Sequence, residues 1–252
     1  MQATISPSRI SGPLTAPASK SAMQRACALS LLHPGETNIQ NPGVSNDDKA
    51  ALSIIKELGA VVKENEDGSL TITGSHFIED KDTEKERTIH CGESGLSIRM
   101  FAPIAALCAQ QIRVTGSGSL TSRPMNFFDE IFPQLHIKVQ TNEGKLPLWI
   151  KGPLQTNPIS IDGSLSSQFL TGLLFAFAKA ATEPVTIRVD NLKSKPYIDL
   201  SLQMLRLFGY KVDHNNYESF KIHPVAGSSN QLMKYTVEGD WSGASFLLVA
   251  GA

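Results

Sequence analysis

Several short stretches of this chain place a hydroxyl and a cation where an apolar run begins, the combination from which anion sites are built. Ser19, Ser94, Ser166 and Ser242 each open such a run; Lys20 and Arg25 follow the first, and Arg99 follows the second. Arg123-Pro124 and Lys195-Pro196 open two further segments. A helix start exposes unpaired N–H groups and a partial charge of about +0.5, worth roughly 0.3–1 kcal/mol to a nearby anion. An arginine adds a planar fork that grips phosphate or carboxylate, at about 1.5–3 kcal/mol per charge-assisted bond. Five cations at repeat-equivalent turns therefore point to a pocket for a small molecule with several negative charges. Two plainer readings compete: the serines are simple helix caps, and the cations sit in surface ion pairs.

The elements that must position these residues recur along the chain. The four serine-led runs are spaced at intervals of about 75 residues, the period of a repeated supersecondary unit. A second kind of helix keeps the same beat, with Pro124 and Pro196 placed where a first helical residue tolerates a missing N–H. Its counterpart in the first unit opens on Ser45-Asn46-Asp47-Asp48, a cap followed by acids that suit the helix dipole. Ile198, Leu202, Leu205 and Phe208 form one stripe on the last of these helices. Gly59 and Gly209 are placed to end the first and third, with Gln134 at that point in the middle unit. Short strands follow, 60–62 with 70–73 and 210–212 with 220–223, and Asp67-Gly68 reads as a hairpin turn. Each unit is predicted as β-α-β-α-β-β. The serine-led helices are apolar nearly all round, so they belong in an interior with sheets packed outside, and only their N-terminal ends are left to meet solvent.

Composition narrows the partners. The 252 residues carry a formal charge of −1, which argues against nucleic acid or a membrane surface, since both select for excess cations. The longest nearly unbroken apolar run, 169–178, is too short for a bilayer span, and no secretory signal opens the chain. Three cysteines, Cys27, Cys91 and Cys108, fit reduced thiols in a cytoplasmic protein, with a reactive thiol as the alternative. The alternating charges of 79–87 read as a solvated loop. Gly116-Ser117-Gly118 lacks the further glycine of a dinucleotide loop, no Walker pattern occurs, and the six histidines lack metal-ligand spacing. No nucleophile stands beside an obvious base.

At these turns the chain resembles the 5-enolpyruvylshikimate-3-phosphate synthase family. The resemblance rests on S-K-S-A-M-Q-R at 19–25, S-G-L-S-I-R at 94–99, T-S-R-P at 121–124, D-G-S-L-S-S-Q-F-L-T at 162–171, S-K-P-Y-I-D at 194–199 and V-E-G-D at 237–240, in family order. It implies an α/β domain of three βαβαββ copies with buried helices and sheets outside, a barrel-like "inside-out" arrangement. It also implies enolpyruvyl transfer from phosphoenolpyruvate to the 5-hydroxyl of shikimate 3-phosphate, with no cofactor and no metal. The hydroxyl adds to C2, C3 gains a proton, and phosphate leaves the tetrahedral adduct.

Roles follow by similarity. Lys20 touches both substrates and is the candidate for electrostatic stabilisation and proton donation. Ser21, Arg25, Ser166, Ser167, Gln168, Ser194 and Tyr197 hold shikimate 3-phosphate. Gly95, Arg99, Arg123 and Gln168 face phosphoenolpyruvate, where the missing Cβ of Gly95 lets a compact ligand approach the backbone. Ala18 stands where the family has Gly, and Leu96 and Met100 stand where members often carry Thr and Pro. The resemblance further implies that 17–237 is the repeated domain, that 1–16 is a strand of a second domain, and that 238–252 begins that domain. On that expectation the chain binds but does not turn over alone, as a cytoplasmic monomer. The alternatives are a transferase acting on UDP-N-acetylglucosamine and a non-catalytic anion-binding module.

Overall fold

The computed structural model describes residues 12–80, 82, 85–164, 167–225 and 230–251. The first unit runs α1 (Lys20–Leu32), β1 (Glu36–Gln40), α2 (Asn46–Glu57), β2 (Val61–Glu64) and β3 (Leu70–Thr73). The second runs β4 (Glu86–His90), α3 (Gly95–Ala105), β5 (Gln111–Thr115), α4 (Asn126–Ile131), β6 (Lys138–Asn142) and β7 (Lys145–Lys151). The third runs β8 (Ile159–Asp162), α5 (Ser167–Ala180), β9 (Val185–Asp190), α6 (Lys195–Leu207), β10 (Val212–Asn215) and β11 (Ser219–Ile222). After it come β12 (Met233–Thr236) and α7 (Trp241–Gly251).

The second and third units are complete βαβαββ copies, as the periodicity predicts. The first lacks its opening strand in sequence, and β12 supplies it from the far end of the chain. β12 pairs parallel with β1, just as β4 pairs with β5 and β8 with β9. All three sheets then share one order, with the last strand of each unit inside and its hairpin partner at the edge: β12-β1-β3-β2, β4-β5-β7-β6 and β8-β9-β11-β10. These are three separate four-stranded sheets, not a closed barrel. They wrap around helices instead of closing on one another. Residues beside β12 continue the closure: the amide of Ser19 donates to Glu238 O at 2.7 Å and that of Asp240 to Pro17 O at 2.7 Å.

Three of the four serine-led helices, α1, α3 and α5, fill the interior, where they meet one another. The fourth, α7, departs from the expectation, with no buried residue and Trp241 and Phe246 exposed, because no described element packs over it. Every residue of α1 from Ala22 to Leu32 is buried. Each Leu or Phe sequestered this way contributes about 1.5–3 kcal/mol. The second helices expose one side: in α6 Ile198 and Leu205 are buried and Leu202 half-buried, and Phe208, just past its end, is buried as well. Gly59 and Gly209 end α2 and α6 with φ of +94° and +84°, a left-handed turn open to glycine at no steric cost. In the middle unit the left-handed residue is His136, at φ 59°, not Gln134, because a 3-10 turn, Phe132–Leu135, prolongs α4 by one step.

Local signals were accurate to within a few residues. Ser19 and Ser94 cap α1 and α3, accepting from Ala22 N and Ser97 N at 3.4 and 3.1 Å. Ser45 and Asp48 form a reciprocal capping box on α2. Two expectations need correction. Ser242 lies inside α7, and Asp240 caps that helix by accepting from Ser242 N and Gly243 N. Pro124 lies outside α4, which starts at Asn126, because the Met125 amide is committed to Gly144 O at 2.7 Å. The 79–87 stretch is tied down in part, since Arg87 enters β4 and pairs with Asp80 at 3.1 Å. No helix among the described residues is long and apolar enough to cross a membrane.

Candidate functional site

The N-terminal ends of α1, α5 and α6 open on one cleft of about 290 Å3, lined by Lys20, Ser21, Arg25, Leu96, Ser167, Gln168, Ser194 and Tyr197. Seven of these eight were expected there. Ser166 falls outside the described residues. The cleft forms because each helix presents its first turn, where backbone donors are unpaired, to the same space.

Arg25 dominates its chemistry. The side chain is 1% exposed yet has only neutral partners. Nε donates to Ser201 Oγ at 2.8 Å, Nη1 to Ser21 O at 2.8 Å, and Nη2 to Thr171 Oγ1 at 3.4 Å and Tyr197 O at 3.3 Å. Burial pulls the guanidinium down to about 10. A buried cation without a counter-ion is costly, so the arrangement favours an incoming anion. Lys20 differs. Its side chain is half exposed and pairs with Asp47 Oδ2 at 3.0 Å, an acid in the first turn of α2. An ammonium has three donors, so this pair orients Lys20 without exhausting it. Ser194 sits at φ 58° with its hydroxyl uncommitted to capping α6.

A second group converges on Gly95, the first residue of α3. A methyl group there would lie 2.7 Å from Arg99 Nη1, 2.7 Å from Arg123 Nη1 and 3.7 Å from Gln168 Oε1. Arg99 donates from Nη1 to Gly95 O at 3.1 Å and to Gln168 Oε1 at 3.4 Å, and lies 5.0 Å above the Phe169 ring. Its Nε is buried without a partner. Burial, then the charge of Arg123, lowers its pKa. Arg123 is exposed, with Nη2 on Ser119 Oγ at 3.1 Å. Gln168 links the two groups, lining the cleft while its Oε1 accepts from Arg99 Nη1.

The ion-pair alternative can now be judged. Among the described residues the salt bridges involve Lys20, Arg87, Lys211, His76 and His223, and none involves Arg25, Arg99 or Arg123. Among the described residues, then, Arg25, Arg99 and Arg123 have no acid within salt-bridge distance. Lys195 turns away, its Nζ 5.1 Å from the Tyr217 ring centre. The thiol alternative fails: Cys27, Cys91 and Cys108 are all buried, and burial pushes each pKa up, away from thiolate. A larger recess of about 620 Å3 lies at the opposite ends of α1, α5 and α6, around His33, Lys179, Phe208 and Tyr210. Helix C-termini repel anions, and Lys179 there is committed to Leu32 O at 3.0 Å.

Sequence reasoning missed the residues that hold the cations. Thr171 and Ser201 bond each other at 2.9 Å and together seat Arg25; Asp47 was read only as a dipole-complementing acid. Thr171 is four residues from Ser167 and Ser201 four from Tyr197, so a helical-face argument could have found both.

Gly95→Ala is expected to weaken binding of a small anion such as inorganic phosphate by about tenfold, the loss of roughly one charge-assisted contact. The clash is with flexible guanidinium ends, so the fold should survive. Calorimetry paired with a melting curve checks both halves, and unchanged phosphate affinity would show that the recess is not a ligand site.

Residues 5–252 match the family model described as EPSP synthase (3-phosphoshikimate 1-carboxyvinyltransferase). The chain is 36% identical over 252 residues to the 3-phosphoshikimate 1-carboxyvinyltransferase of Clostridium kluyveri, covering 99% of this chain and 57% of that protein. It is 37% identical over 248 residues to the protein of that name from Clostridium perfringens, with 98% and 57% covered. The chain thus spans a little over half the length of these relatives. Among solved structures, EPSP synthase from Acinetobacter baumannii superposes with a TM-score of 0.78 at 24% identity, over 94% of this chain and 52% of that one. The enolpyruvyl transferase NikO from Streptomyces tendae gives 0.65 at 17% identity, over 92% and 53%. At those identities the two structures speak for the fold alone.

Proposed function

The chain belongs to the EPSP synthase (3-phosphoshikimate 1-carboxyvinyltransferase) family, and from that premise we propose that its two-part site takes shikimate 3-phosphate and phosphoenolpyruvate for enolpyruvyl transfer. The observation that carries the proposal is Arg25, a buried cation with neutral partners at the wall of a cleft lined by Ser21, Ser167 and Ser194. The acceptor substrate matches that chemistry: its phosphate and carboxylate supply the missing charge, and its ring hydroxyls suit the serines. Arg99, Arg123 and the close backbone at Gly95 suit phosphoenolpyruvate, a compact trianion at its most ionised.

The division of labour follows from the positions. Ser167, Ser194, Tyr197 and Arg25 orient the acceptor, and Gln168 lies where the ligands meet. The cations bring two mutually repelling anions together, which is the entropic and electrostatic part of the barrier. Lys20, at the rim and carried by the α1 N-terminus, stabilises charge as the 5-hydroxyl adds to C2, and stands ready as a proton donor. The residues that would complete turnover in a protein of the relatives' full length are part of the same proposal, as are a cytoplasmic setting and action as a monomer.

Calorimetric titration of this chain with shikimate 3-phosphate is the test. Saturable binding at one ligand per chain, in the range below about 1 mM, is the expected result, with no competition from UDP-N-acetylglucosamine. No heat and no rise in melting temperature at millimolar ligand, with the fold intact, would defeat the reading.

A further inference from the structure

We propose that Gln24, which touches neither half of the site, is a positioning residue that sets the Gly95 turn from inside α1; the proposal rests on the reading of that turn as the phosphoenolpyruvate half. Gln24 is 0% exposed, in a helix whose buried residues are otherwise apolar apart from Arg25 and Ser30. Its Oε1 accepts from Ser94 Oγ at 3.0 Å and from Ser97 Oγ at 2.9 Å, and its Nε2 donates to Lys20 O at 3.4 Å. The amide orientation is dictated by the partners. Exchanging N and O would set the amide oxygen against the Lys20 carbonyl, two acceptors with no proton between them. Packing alone would be served as well by an unbranched apolar side chain, so three polar contacts call for another reason.

That reason lies in the repeat. Gln24, Arg99 and Thr171 each stand five residues after the serine that opens their run. Each reaches across to another inner helix. Gln24 of α1 holds Ser94 and Ser97 at the start of α3; Arg99 of α3 holds Gln168 at the start of α5; Thr171 of α5 receives Arg25 of α1. The three helix starts are thereby tied into a ring, and two of its three links are already ligand-facing residues. Gln24 is the link that carries no ligand contact. Its Oε1 accepts the Ser94 hydroxyl's hydrogen bond while the Ser94 oxygen accepts from Ser97 N at 3.1 Å, so it sets the cap of α3. The cap in turn sets the direction of Gly95 O, which Arg99 grips at 3.1 Å.

The experiment compares Gln24→Met, which keeps length and volume, with Ser97→Ala and with the double variant. Each is titrated with shikimate 3-phosphate and then, at saturation, with phosphoenolpyruvate, beside a melting curve. Gln24→Met is expected to weaken phosphoenolpyruvate about tenfold while shikimate 3-phosphate stays within about twofold, since the lost bonds anchor α3 and not the Arg25 seat. Ser97→Ala should show the same split at smaller size, and the double variant should be no worse than Gln24→Met, because the two changes break one link. Equal weakening of both ligands, or unchanged phosphoenolpyruvate affinity, overturns the role of Gln24 and leaves the proposed function standing. If Gln24→Met does not fold, the Ser97→Ala split decides. Unmutated protein that binds shikimate 3-phosphate but never phosphoenolpyruvate overturns the positioning role. Failure to bind shikimate 3-phosphate at all removes the proposed function and this inference together.

Discussion

Arg25→Met is expected to lower shikimate 3-phosphate affinity by at least about 100-fold, the loss of two charge-assisted bonds, while the protein melts at the same temperature or higher. The two halves of that expectation share one cause. Burial lowers the pKa of this guanidinium, so the folded protein carries an unfavourable buried charge at neutral pH. Methionine fills the space of the stem without the charge. Nothing is orphaned by the change: Ser201 Oγ still bonds Thr171 and Tyr197 O at 2.9 Å each, and Ser21 O and Tyr197 O lie within helices. The binding partner of the cation is therefore the ligand, and the fold tolerates Arg25 instead of needing it. Calorimetry and a melting curve on the same preparation measure both. Affinity within about threefold of the unmutated protein would place the acceptor phosphate elsewhere. Arg25→Lys should recover only part of the affinity, since a point charge cannot make the fork.

Lys20→Ala comes next, with an expected loss of about 10- to 100-fold in affinity for both substrates, one or two charge-assisted contacts' worth, and a melting temperature moved by no more than about 3 °C. Its pair with Asp47 is half exposed, and such pairs contribute about 0–1 kcal/mol. Loss on both ligands distinguishes Lys20 from Arg25, whose removal should act on the acceptor alone. The Lys20 effect should also shrink as salt rises, because the group meets solvent where Arg25 does not. A Lys20→Ala protein that binds both ligands normally would move the electrostatic centre of the site to Arg99 and Arg123.

Much of the architecture was legible because it is written locally. Serine caps, apolar periods and the glycine stops of α2 and α6 act over a few residues, so Ser19, Ser94, Gly59 and Gly209 could be placed from the chain alone. Where the reading slipped, a non-local bond had intervened. Pro124 marks a helix start only if the next amides are free, and Met125 is held by Gly144. Ser242 looked like a cap by analogy with its repeats, but Asp240 was nearer the open amides.

The sequence by itself determined the repeat, the buried character of α1, α3 and α5, and the residue types able to meet an anion, because these depend on periodicity and cap chemistry within one turn. It could not determine that β12 closes the first sheet, since a parallel pairing leaves no turn signature between its strands. Nor could it say that Arg25 would find Ser201 and Thr171, which lie 176 and 146 residues away, or that Lys20 would pair with Asp47 while Arg25, Arg99 and Arg123 form no salt bridge among the described residues. Charge compensation is a property of distances in space. Only the folded chain, by stacking three helix starts at one end, decided which cations were left with charge to give.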